Sequence, residues 1–200
     1  MSWLWWAVLG LVVVVLVSWP IATYNRLVSM QQTVVESWRG IDIELTRRWE
    51  LVPRLAEVAR SYARHEATVL AQLAALRTPA RLDDDPSGAL QELNDRVIAD
   101  ETRAQDALAG ALTGLRALAE AHPDLLASQH YSELMTALRD TDDRIAAARR
   151  LYNGNVSRYN AKLRSFPGRV VAGWAGMTTA DLWVMADPAH GELPPLGLRD

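Results

Sequence analysis

"LMTALRDTDDRIAAARRLYNGNVSRYNAKLRSFPG", residues 134–168, carries Leu134, Leu138, Thr141, Ile145, Ala148, Tyr152, Val156, Tyr159, Leu163 and Phe166 at steps of three and four. That is a stripe with a period near 3.5, the pattern of a helix packed in an antiparallel bundle. Pro167-Gly168 closes it, pairing a residue that cannot continue a helix with a flexible one. Within the stripe a dipeptide repeats: Tyr152-Asn153 returns as Tyr159-Asn160, and a third copy, Tyr24-Asn25, stands far upstream. Tyr152 and Tyr159 fall on the seam, so their rings read as core with hydroxyls reaching a partner at its edge. Asn153 and Asn160 lie one position round, where they are expected to bond across to a neighbouring helix. The pairs read as helix contacts rather than as an active site.

The same period extends outward from this segment. Leu27, Gln31, Val34, Trp38, Ile41, Leu45, Arg48 and Val52 form one stripe, and Leu55, Ala59, Tyr62, Glu66, Val69, Leu73 and Leu76 a second. After the breaker-rich "TPARLDDDPSG" a third runs through Leu90, Leu93, Val97, Glu101, Ala104, Leu108, Ala111, Leu115 and Leu118, and Pro123 separates it from the last. No stretch after residue 24 alternates as a strand would. The expected fold is all-α: an N-terminal transmembrane helix followed by an up-down antiparallel helical bundle. Pro53 decides the count. A turn there gives four helices and returns the last one toward the membrane; a kink gives three and leaves the C-terminal tail distal.

Residues 1–25, "MSWLWWAVLGLVVVVLVSWPIATYN", carry no charged side chain. Trp3 to Ala22 is about 20 residues, ~30 Å as a helix, the thickness of a bilayer's hydrocarbon core. Trp3, Trp5, Trp6 and Trp19 cluster at its two ends, where amphipathic rings prefer the headgroup level. A cleaved signal peptide would want a basic start and a small-x-small site, and neither is present. The expected organisation is an anchor over 1–23, a bundle over 24–166, and a hydrophobic then Pro/Gly-rich tail over 167–200. Arg26, Arg39, Arg47 and Arg48 follow the apolar run and no basic residue precedes it. The bias points to a plasma-membrane protein with a short N-terminus outside and the bundle in the cytoplasm. The tail segment 170–183 has two readings: folded back on the bundle, or lying on the bilayer surface with Trp174 and Trp183 as interfacial anchors.

Three charged residues interrupt the stripes: Arg48, Glu66 and Glu101, with His65 beside Glu66. A buried charge is costly unless paired, so either the stripes rotate and these groups reach solvent, or they meet as a buried polar network. A proton-transfer or metal site is the third reading.

Few other residues suggest chemistry. The chain has no cysteine and one lysine, Lys162, and a net charge of −3 without a basic tract. Disulfides, thiolate chemistry and nucleic-acid binding therefore have no support. The four histidines are His65, His122, His130 and His190; "HEATV" at 65–69 lacks the second histidine of a zinc-protease helix, and "LDDDPSG" at 82–88 lacks the alternating ligands of a calcium loop. No Gly-rich phosphate loop and no G-x-S-x-G elbow is present. No catalytic, cofactor or metal residues are assigned, and no cofactor is expected.

Longer motifs carry a resemblance. Tyr24-Asn25-x-Leu27-Val28, Asp42-Ile43-x-Leu45, Arg47-Arg48, Leu51-x-Pro53-x-Leu55 and Tyr62 with His65-Glu66 occur in order over 24–66. Over 144–176 the double Tyr-Asn run ends in Ser165-Phe166-Pro167-Gly168, and "HPDLLAS" (122–128) precedes it. The chain resembles the bacterial LemA family in these segments, from 24 to 176. It departs at "MTTADLWVMADP" (177–188), where that family ends in aromatic and acidic residues. The resemblance implies one membrane span, a four-helix bundle facing the cytoplasm, and no established catalytic residues to carry over. Two functions are weighed. The first is a membrane scaffold or adaptor that engages the lipid bilayer, membrane or cytoplasmic proteins, or a second copy of itself. The alternative is a hydrolase or accessory enzyme subunit using His65, Glu66 and Arg48.

Overall fold

The computed structural model describes residues 2–62, 69, 71, 73, 76, 82 and 88–184. The described elements are α1 (Ser2–Tyr62), α2 (Ala89–Glu92), a π-helical turn (Leu93–Val97), α3 (Ile98–Ala121), α4 (Pro123–Leu126), α5 (Gln129–Arg164) and α6 (Gly168–Ala175). Among the described residues there is no strand, and the protein is all-α. α2, the π turn and α3 follow one another without a break.

The stripes set the packing. Leu27, Val34, Trp38, Ile41, Leu45, Arg48 and Val52 are all buried along one face of α1, and Leu90, Leu93, Val97, Glu101, Leu108, Ala111, Leu115 and Leu118 along α2–α3. Along α5 the buried set is Tyr131, Met135, Leu138, Thr141, Ile145, Tyr152, Val156, Tyr159 and Leu163. The ends of that last stripe differ from expectation. Leu134 is only half-buried because Met135 takes the core position, and Phe166, beyond the helix end, is 75% exposed.

These side chains form two cores. The one nearer the anchor joins Leu27–Leu45 of α1, Ala89–Val97, and Ile145–Leu163 of α5. The far one joins Trp49–Ala59, Leu108–Ala119, Leu125 and Tyr131–Leu138. The memberships fix direction: α2–α3 runs the same way as α1, and α5 runs back against both.

Pro53 does not mark a turn. α1 continues through it to Tyr62, as it does through Pro20. Proline removes one backbone hydrogen bond, but Val52, Leu55, Ala56 and Ala59 are buried around it and hold the helix. The corollary that the tail would then be distal is overturned. Ala59 belongs to the far core and Ala89 to the near one, so α2 begins again at the anchor side. Val69, Leu73 and Leu76 pack on the far core and Leu82 on the near one. α5 consequently ends beside the anchor, where the Phe166 and Trp19 rings meet at 5.5 Å between centroids.

The packed body also extends past the boundary expected at 166. Val171 and Ala172 of α6, then Ala180 and Trp183, belong to the near core. Gly168 makes this possible: a Cβ there would stand 2.2 Å from the Lys162 carbonyl oxygen, so only glycine lets α6 close on the end of α5.

Candidate functional site

Two polar arrangements stand out, one between the cores and one beside the tail. The first is a layer at Arg48, Glu101, Gln105, Thr141 and Asp142, which separates the near core from the far one. Arg48, Glu101, Gln105 and Thr141 are all buried. The structure brings Arg48 and Glu101 together through Gln105. Arg48 Nη1 donates to Gln105 Oε1, and Gln105 Nε2 donates to Glu101 Oε1. Asp142 of α5 supplies the second anion, with Oδ1 3.1 Å from Arg48 Nε. That pair is electrostatic, since neither atom makes a hydrogen bond. Thr141 Oγ1 satisfies itself on the Ala137 carbonyl at 2.8 Å.

Burial governs the protonation of this layer. It pushes the Glu101 carboxyl up to about 7, against the opposing pull of the Gln105 hydrogen bond and the Arg48 charge. It raises Asp142 and lowers Arg48 for the same reason, with the mutual attraction of the two working the other way. Asp142 carries no period signal, whereas Gln105 sits on the period, four residues after Glu101 and three before Leu108, and takes the buried place expected of Ala104. His65 and Glu66 lie outside the described residues, so the proposed trio of His65, Glu66 and Arg48 has only Arg48 placed. Among the described residues no three His, Cys, Asp or Glu side chains group as metal ligands would.

The second arrangement concerns the Tyr-Asn repeat. Its partner is not a neighbouring helix but the extended segment 178–183, which lies between α5 and α2–α3. Asn160 Nδ2 donates to the Ala180 carbonyl at 2.8 Å, and its Oδ1 accepts from the Ala180 amide at 2.9 Å. Asn153 does the same with Trp183, at 3.1 and 3.0 Å. From the opposite wall Asn94 donates to the Thr179 carbonyl at 2.8 Å and accepts from the Asp181 amide at 2.9 Å. The hydroxyls of Tyr159 and Tyr152 donate to the carbonyls of Thr178 and Asp181, at 2.9 and 2.8 Å. Each asparagine thus pairs with the backbone as a neighbouring β-strand would. Burial raises the Tyr152 hydroxyl far above its ordinary range and the Tyr159 hydroxyl to about 12, so both remain donors.

The segment ends in a plug. Trp183 is 0% exposed and makes an edge-on contact with Trp38 at 5.3 Å, which in turn meets Tyr152 at 5.4 Å. Its indole Nε1 donates to Thr102 Oγ1 at 3.3 Å, and the Arg149 guanidinium lies 6.0 Å from its ring. The interfacial reading of Trp183 is therefore corrected: the indole is consumed by the bundle. Trp174 behaves differently. It is 78% exposed on α6, four residues after half-exposed Val170, while Val171 and Ala172 face the core. Tyr24 and Asn25, the third copy of the repeat, are exposed on α1, because Thr23 rather than Tyr24 takes the buried position before Leu27.

Asn94 is a functional position that the stripes alone do not mark. A signal existed. Leu93-Asn94, Tyr152-Asn153 and Tyr159-Asn160 all place an asparagine directly after a buried stripe residue. The π turn carries the first of these.

The anchor-side end of α1 is the one described helix long and apolar enough to cross a membrane, and its apolar window is not buried in the bundle. Trp3, Trp5, Trp6 and Trp19 are all exposed there.

Residues 37–195 match the model of the LemA family. The chain belongs to the LemA family. Its relatives include the magnetosome proteins MamQ 2 and MamQ 1 of Paramagnetospirillum magneticum, each 25% identical over 183 residues, covering 84% of this chain and 67% of the relative. Magnetosome protein MamQ of Magnetospirillum gryphiswaldense is 24% identical over 158 residues, covering 72% of this chain and 58% of the relative. The LemA-family match, the bacterial relatives and the apolar helix together indicate a membrane-associated helical protein.

Proposed function

We propose that this LemA-family protein is a membrane-tethered scaffold that holds partner proteins at a fixed height above the bilayer. One observation carries the reading: the helix bearing the apolar run is also the helix that walls both cores. α1 is continuous from the apolar run into the bundle, through Pro20. From residue 23 to Tyr62, α1 reaches ~60 Å at 1.5 Å per residue. A rigid mount of this kind serves positioning, whereas a flexible linker would serve only retention.

The anchor-side face supports the same reading. Phe166, which meets Trp19, is exposed, as are Val170 and Trp174 of α6 and the cations Arg164 and Arg169 close by in the chain. Apolar rings at the headgroup level and cations beside them suit an anionic lipid surface. The arginine bias after the apolar run supports a bundle on the cytoplasmic side of the plasma membrane. The partners are then membrane or cytoplasmic proteins.

Proximity labelling from the full chain tests the scaffold. A reproducible set of neighbours, lost when residues 1–23 are replaced by a soluble tag, is expected. A neighbour set no different from that of an unrelated single-span protein would sink the reading. Topology is tested separately. Since the chain has no cysteine, Ser132→Cys gives one exposed probe at the far end of the bundle. Protection from an impermeant maleimide in intact cells is expected; labelling there would reverse the orientation.

A further inference from the structure

The segment 178–183 is held in two ways, through its peptide groups along its length and through the buried indole at its end. Three asparagines and two tyrosine hydroxyls read peptide groups, and only Ala180 and Trp183 insert side chains into the core. Such a groove is a strand receptor, and nothing in its contacts depends on which chain supplies the strand. We propose that the groove takes the same segment, Thr178–Trp183, from a second copy of this chain, so that two membrane-inserted copies exchange tails.

Three observations select that occupant. The resident segment is itself the fitted ligand, down to the indole plug against Trp38 and Thr102. The exchange would pivot at Gly176, the C-cap of α6, whose φ of +65° suits glycine, and Met177 alone separates it from the extended segment. The rigid α1 mount gives any two copies in one membrane the same orientation and the same groove height, which raises their effective concentration. Exchange forms the contacts it breaks, so it is a low-cost route to a dimer. It also goes beyond the scaffold reading, because it needs no other protein.

Complementation in proteoliposomes of the full chain tests it. One copy carries Asn153→Ala and Asn160→Ala, which disables the groove and leaves the tail intact. The other carries Trp183→Ala, which disables the tail and leaves the groove intact. Each is labelled with a donor or acceptor dye through Ser132→Cys. The mixed pair has one intact tail and one empty groove, and its energy transfer is expected to exceed that of either same-variant pair at least five-fold. If Trp183→Ala costs the fold, adding the groove-disabled copy must restore its helical circular dichroism. Ala180→Asp serves as a second tail-disabled variant under the same two readouts. Transfer no higher in mixed than in same-variant pairs, with helical signal either retained or unrescued, overturns the proposal. So does capture of a free Thr178–Val184 peptide by the tail-disabled copy without transfer between copies, which would assign the groove to a strand from a different protein.

Discussion

Glu101 should make the stability of the bundle fall as pH rises through neutrality. Its carboxyl moves from an ordinary 4.5 to about 7 on folding, chiefly because it is buried. The folded state therefore binds the proton more tightly than the unfolded state does. The stabilisation from that bound proton is complete below about pH 4.5 and is lost as pH climbs through the folded value near 7. A shift of this size corresponds to about 3 kcal/mol, most of it lost between pH 5 and 8. Glu101→Gln keeps the size and the acceptor for Gln105 but cannot ionise. Wild type and variant are expected to match at pH 4.5, and the variant to be the more stable by about 3 kcal/mol at pH 8. For a domain of this size that is a melting difference of roughly 6–12 °C. Asp142 also titrates, but it is present in both proteins and cancels in the comparison. The assay is a thermal melt of the full chain in nanodiscs, followed by far-UV circular dichroism from pH 4.5 to 8. Parallel profiles for the two proteins would refute the account, showing that the Glu101 proton is not coupled to folding.

Other consequences are independent of that experiment. Arg48→Ala strands the buried Glu101 and is expected to cost about 3–5 kcal/mol in the same melts at pH 8, against under about 0.5 kcal/mol for exposed Arg54→Ala. Equal melting temperatures for the two would remove the network. Asn160→Ala removes two backbone contacts, about 1–3 kcal/mol together. Hydrogen exchange should then quicken at the Ala180 amide more than at Ile145, and unchanged protection at Ala180 would contradict the pairing. Trp174→Cys carrying an environment-sensitive dye should shift its emission to the blue when the full chain moves from detergent-free amphipol to anionic vesicles. No shift, with the same dye at Ser132→Cys as reference, would take α6 off the bilayer.

The repeat of three and four residues determined more than any other feature. It placed the central line of buried positions along α1, α2–α3 and α5, because a helix converts linear spacing into one face whatever it packs against, while Val35, Trp49, Ala56, Gln105 and Leu112 widen that line. It also marked Arg48 and Glu101 as interruptions of the core, which they are. The uncharged first segment separated itself by composition alone. What the spacing left open was pairing across the chain. Gln105 and Asp142 join Arg48 from different helices, and Asn94 meets Asp181 from the far end of the sequence. A border position has the same period whether it faces water, a helix or a strand, so Asn153 and Asn160 could be located but not partnered. Pro53 likewise announced a lost hydrogen bond, and the surrounding burial decided that α1 would continue. The tail turned on the same physics. "TTADLW" reads as short, mixed and without period, and Trp183 suits a membrane surface as well as a core. Only the assembled groove, with peptide-reading side chains on two walls and an indole-sized site against Trp38, determined where it goes.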